Sequence, residues 1–129
     1  MSSALSVPNT LSSFTDLWSP RLVASVNDQH VKIAKIDGAF IWHSHPDSDE
    51  LFYLLAGKLT LELEDADAQM SKVVMQVGDV FTVPKGMKHR PVAEHAHIMM
   101  IEKAGTVNTG DAGTSELTRV PEDVRPRGE

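Results

Sequence analysis

The chain has 129 residues, 41% hydrophobic and 23% charged, which sets it at one ordinary domain with a core that closes without staples. A formal charge of −6, from 12 Lys and Arg against 18 Asp and Glu, argues against nucleic acid or an anionic membrane as partner. Cysteine is absent, which excludes disulfides, thiolate metal sites, iron–sulfur clusters and cysteine nucleophiles.

Residues 1–20 are rich in Ser, Thr and Pro. They read as an N-terminal arm in which Ser12 and Ser13 cap a short helical turn running to Trp18, closed by Pro20. Phe14 and Trp18 are expected to lie on the domain or on a partner subunit rather than against a ligand. The start, Met1 to Pro8, has no basic region and no hydrophobic stretch, and no apolar run reaches the length of a membrane helix. The expectation is a cytoplasmic protein.

From Arg21 the pattern changes to short β-branched runs separated by turn formers. Leu22 to Val26 and Val31 to Ile36 read as strands, Asp37-Gly38 as a hairpin turn, and Ala39 to His45 as a third strand. Pro46 to Asp49 is turn chemistry. Glu50 to Leu55 and Lys58 to Glu64 follow around Ala56-Gly57, with Leu59, Leu61 and Leu63 alternating with polar residues as in a half-buried strand. Met70 to Val77, Val80 to Val83, His89 to Val92 and His95 to Ile101 complete the series, with turns at Asp65 to Ala68, Gly78-Asp79 and Pro84-Lys-Gly86. Beyond Gly105 the composition becomes Gly, Thr, Asn, Asp, Pro and Arg, an irregular tail that carries the only basic run, Arg119 to Arg127.

No segment has a sustained helical period, so the fold class is all-β, a sandwich or barrel. The organisation is an arm at 1–20, a barrel at 21–104 and a tail at 105–129. Ala39 to Trp42 and Leu51 to Leu55 are apolar on both faces, so their outer side needs cover, and a homodimer is expected.

His43 and His45 stand two apart, which in a strand puts both imidazoles on one face about 7 Å apart. Alone, a His-x-His pair is usually solvated and inert. Here the following turn returns Glu50 beside the pair, and His89 follows a turn of its own. Three imidazoles and one carboxylate suit a divalent first-row ion: Mn, Fe, Co, Ni, Cu or Zn.

The residues fall in two blocks, Gly38-x4-His43-x-His45-x4-Glu50-x6-Gly57 and Gly78-x5-Pro84-x-Gly86-x2-His89. This pattern resembles the cupin superfamily, with one residue fewer than usual after Gly38 and Ala93 where that family often has Asn. Closer still, the chain looks like the small single-domain cupins called mannose-6-phosphate isomerase-like. The resemblance implies a double-stranded β-helix, or jelly-roll barrel, with a metal inside it on His43, His45, Glu50 and His89.

Phe52 and Leu54 share the face of Glu50 and are expected to wall a substrate pocket. His95 and His97 share a face with Met99 and Ile101. If that face is interior, His97 and Met99 line the same pocket and His97 is a candidate general base, although a hydrogen-bonded or solvated role is the plainer reading. Phe40 and Trp42 are expected to pack rather than to contact ligand. Arg90 falls on the outer face, and Asp47 and Asp49 serve the turn. The ligand set suits a metal-dependent enzyme acting on a small sugar derivative or organic acid, by isomerase, lyase or dioxygenase chemistry. It suits equally a module that binds or senses such a small molecule without catalysis, and a barrel with a structural role stands behind both.

Overall fold

In a computed structural model residues 3–126 are described. Residues 1, 2 and 127–129, including Arg127 of the basic run, lie outside the described residues. The elements in chain order are helix α1 (Val7–Ser12) and strands β1 (Arg21–Val26), β2 (Gln29–Ala39), β3 (Glu50–Glu64), β4 (Met70–Met75), β5 (Val80–Val83) and β6 (Lys88–Lys103). A single 3₁₀ turn at Gly110–Ala112 and β7 (Glu122–Asp123) follow. One sheet of seven strands runs β4-β3-β6-β2-β1-β7, with β5 also on β3. This is the all-β jelly-roll barrel.

Two long strands make the wrap. β3 pairs with β6 along its whole length, while its other edge pairs with β5 at residues 50–53 and with β4 at residues 59–64. Both long strands bend at one level, where the register slips around Ala56 and His95 takes φ 46°. Gly57 is required there. Its φ is 80°, and a Cβ on it would stand 2.2 Å from the His95 carbonyl oxygen.

The slip also exchanges faces. Before it, Glu50, Phe52 and Leu54 point inward on β3; after it, Leu59, Leu61 and Leu63 do. On β6, His89 and Ala93 are buried on one side of the bend, and Ala96, Ile98 and Glu102 on the other. The leucines, Met75, Val83 and Ala93 fill one part of the interior as packed core.

Several sequence expectations change. Asp37-Gly38 makes no hairpin, because β6 is long enough to pair with β2 on both sides of it. Gly38, at φ 80°, instead closes a register shift between Ile36 and Gly38. Residues 40–49 are not a strand; they meet β6 through an isolated bridge, His43 with His89, and through the Phe40 N–H, which donates to the Pro91 carbonyl at 2.9 Å. The helix lies earlier than expected, because Ser6 rather than Ser12 caps it: the Ser6 hydroxyl accepts from the Asn9 N–H and Pro8 fits the first turn.

The arm is docked on the outer face of β2. Leu11 and Phe14 pack with Val23 and Ile33 in a second core, joined by Val31, Leu55 and Met99. Arg21 fixes the junction: its guanidinium lies 4.0 Å over the Phe14 ring and pairs with Asp16 at 2.9 Å and Glu122 at 3.3 Å. The tail is mostly irregular but returns to the barrel, where β7 lies parallel to β1.

Candidate metal centre

Two loops build the site by bonding to each other. His43 and His89 exchange both backbone N–H···O bonds, at 3.0 and 2.8 Å. The Gly86 N–H donates to the His45 carbonyl at 2.9 Å, and the Lys85 N–H to the Asp49 carboxylate at 2.9 Å. The Pro84–Gly86 turn is thereby fastened to the His43–Asp49 loop, and Asp49 has a structural task beyond its own turn. A third segment closes over them. The Asp111 N–H donates to the Ser44 carbonyl and its carboxylate accepts the Ser44 N–H at 2.7 Å, while Gly110 passes so close that a Cβ would sit 2.2 Å from Ser44 O.

His43, His45, Glu50 and His89 are all buried, at 3, 4, 4 and 0% exposure. Each offers a ligand atom, and the four lie within 4.8 Å of one another. Donors about 2.1 Å from a shared ion stand roughly 3 Å apart at right angles and about 4.2 Å apart when opposite. A small inward adjustment of the side chains therefore closes the set on one ion.

The hydrogen-bond pattern fits such an ion. The Nδ1–H of His43 donates to the Ile41 carbonyl at 2.8 Å, and that of His89 to the Met87 carbonyl at 3.0 Å. Their Nε2 atoms then carry lone pairs. His89 Nε2 faces Glu50 Oε1 at 3.2 Å, and His45 Nε2 faces Glu50 Oε2 at 3.4 Å. At His89, whose ring proton is on Nδ1, lone pair opposes lone pair unless a proton or a metal ion stands between them. His45 Nε2 is also enclosed with no hydrogen-bond partner, an arrangement that buried polar atoms rarely tolerate.

Protonation agrees. Burial brings the His43 imidazole down to about 4, and the neighbouring His89 adds to the effect, so His43 is neutral at pH 7. Burial pushes the Glu50 carboxyl up, but the neighbouring Glu102, His45 and His89 side chains prevail and keep it well below the usual range. Glu102 beside it is raised, first by burial and then by Glu50, against the pull of Lys32.

A small cavity of about 40 Å³ opens from His43 and Glu50 into the barrel. Phe52 walls it. So do three residues the sequence did not mark for it: Lys32, Glu102 and Asn108. Trp18 and Phe40, expected only to pack, stack on each other at 4.8 Å and also line it, with Phe40 edge-on to His43. Leu54 is fully buried in the packed core and does not reach the cavity.

His97 and Met99 lie on the outer face. His97 borders a groove with Val7 and Leu11 of the arm, and Met99 packs in the second core. The bend at His95 is the reason, since it reverses which residues of β6 face inward. His95 is exposed, 3.4 Å from Asp37. Arg90 lies outside and pairs with Glu62 at 2.6 Å, beneath Trp42. A broader polar crevice along Pro46, Lys85 and Lys103 reaches His45 from the other side.

The described residues contain no helix long and apolar enough to cross a membrane. A family model described as Cupin domain matches residues 29–102. The chain is 40% identical over 68 residues to an uncharacterized Bacillus subtilis (strain 168) protein, YdbB, covering 53% of this chain and 57% of that one. The chain thus spans little more than half the length of this curated relative. Among solved structures, a cupin-2 domain containing protein of Shewanella frigidimarina is 35% identical with a TM-score of 0.70, over 77% of this chain and 93% of that one. Hydroquinone 1,2-dioxygenase PnpCD, solved in complex with Fe3+, has a TM-score of 0.69 over 81% of this chain and 33% of its own. At 18% identity that likeness is one of fold.

Proposed function

The chain belongs to the Cupin domain family, and from there we propose that it is a metal-dependent enzyme acting on a small sugar derivative or organic acid. One observation carries the reading: three imidazoles and a carboxylate from distant parts of the chain meet within 4.8 Å, buried, at the end of a cavity. A divalent first-row ion on them would supply Lewis acidity and, if redox-active, one-electron chemistry. His43, His45, Glu50 and His89 would hold it, leaving adjacent positions for substrate. Phe40 and Phe52 keep water from the cavity side and strengthen charge interactions within it. Isomerase, lyase and dioxygenase reactions all fit this arrangement, and the likeness to mannose-6-phosphate isomerase-like cupins would favour the first. The partners proposed are a small molecule in the cavity and a second copy of the chain.

The test loads metal-free protein separately with Mn, Fe(II), Co, Ni, Cu and Zn and screens sugar and organic acids for turnover and oxygen uptake. Turnover with at least one ion, abolished in Glu50→Gln, supports the enzyme. Metal and ligand uptake without any turnover would replace it with a non-catalytic binding or sensing module.

A further inference from the structure

The barrel holds a charged pair that the metal ligands do not explain. Lys32 and Glu102 are 3 and 2% exposed, and Lys32 Nζ donates to Glu102 Oε1 at 2.8 Å and to the Thr106 carbonyl at 3.3 Å. Both line the cavity. The placement follows from register: Glu102 of β6 lies opposite Glu50 of β3, and Lys32 of β2 opposite Met100 of β6. Glu102 therefore stands between the lysine and the carboxylate of the metal cluster.

A buried ion pair is a poor source of stability, since apolar residues of similar volume commonly do as well. This one also leaves polar capacity unused. An ammonium has three donors and two are engaged, while the enclosed Glu102 Oε2 has no hydrogen-bond partner. Such atoms inside a cavity wall point to a ligand that completes them.

The charges give the sign of that ligand. A divalent ion, Glu50 and Lys32 leave the site net positive whether or not Glu102 carries its proton. An anion is favoured there over a neutral molecule. The rest of the wall gives its body. Trp18, Ile36, Phe40, Phe52, Ile98 and Met100 are apolar, and Asn108 is the only neutral amide among the described lining residues. The several hydroxyls of a sugar would outnumber the polar partners these walls offer. Among the described lining residues there is no arginine to grip a phosphate dianion.

We propose that the cavity takes a compact monocarboxylate with an apolar, aromatic or branched body, its carboxylate bound by Lys32 beside the metal centre. This deepens the metal-dependent reading and rests on it. It turns the choice of substrate away from sugar phosphates and toward small organic acids.

The test uses full-length protein loaded with one equivalent of Zn(II), which is redox-inert, and measures heats of binding for benzoate against benzamide and 3-methylbutanoate against its amide. The acids should bind at least about tenfold tighter than the amides. Lys32→Met should remove most of that preference while metal content stays at one per chain, and Lys32→Arg, which keeps the cation, should retain it. If Lys32→Met does not fold, the double variant Lys32→Gln, Glu102→Gln removes both charges together and makes the same comparison. Metal uptake with acid and amide bound equally, with no acid bound, or with a preference that survives loss of Lys32, overturns this proposal alone. Failure to take up metal overturns the metal reading and this proposal with it.

Discussion

His43 is held as a base that stays neutral. Its imidazole protonates near 4 in the fold against about 6.5 in an unfolded chain, so between those values the unfolded state binds a proton that the native state refuses. Stability from this residue is present above about pH 6.5 and is lost as pH falls toward 4. The loss is on the order of 3 kcal/mol. Urea unfolding of metal-free protein from about pH 7.5 down to about 4 measures it, and a flat profile would show that His43 is not desolvated as described. Glu50 supplies the only anion of the four ligands. Glu50→Gln keeps the volume and removes the charge, and is expected to weaken divalent metal binding by about 100-fold or more, read by competition with a chelator.

The cluster of His43, His45, Glu50 and His89 was legible in the sequence because its information is local: two short blocks with fixed turns, each delivering histidine or glutamate at a known offset. Lys32, Glu102 and Trp18 were not. Alternation says which residues share a face and is silent on which face is inside, and Lys32 sits in a strand whose two faces both carry apolar residues. Its partner Glu102 is 70 positions away, a distance that only the β2–β6 register closes.

At the level of elements, the bend shared by β3 and β6 decides the interior. It explains why Leu54 and Leu59, five apart, both point inward, and why His97 does not. Parity along a strand is a sound guide until a bulge, and no signal in His95 marks one; the mark lies across the ladder at Gly57. Gly57→Ala would force a Cβ against the His95 carbonyl in a backbone region L side chains avoid, and is expected to cost at least about 2 kcal/mol in urea unfolding. Unchanged stability would mean that the two strands are not so close. His97→Ala should leave metal affinity within about twofold, since the residue lies under the arm. A larger loss would return it to the interior. The misplaced helix has a similar origin: Ser6, Ser12 and Ser13 are all competent caps, and the choice fell to the one followed by Pro8.

For the molecule as a whole, the barrel divides its interior between packed leucines and a cavity ending at the histidines, while arm and tail close the outside. Trp18 from the arm and Pro121 from the tail both border the cavity. The outer face still exposes Val74 and Met70 on β4 and Val80 on β5, which agrees with the proposed pairing of two copies. Light scattering after size exclusion should give twice the single-chain mass, and a monomer at micromolar concentration would contradict the pairing.

Whether the buried histidines and glutamate hold an ion is answered by counting it. Metal-free protein is loaded, desalted at about pH 7.5 and analysed for metal per chain, beside a His89→Ala variant whose circular dichroism matches the parent. One divalent ion per chain in the parent, and less than about a tenth of that in the variant, is the expected result. Equal content in the two proteins, or none in the parent after loading with any of the six ions, would contradict it.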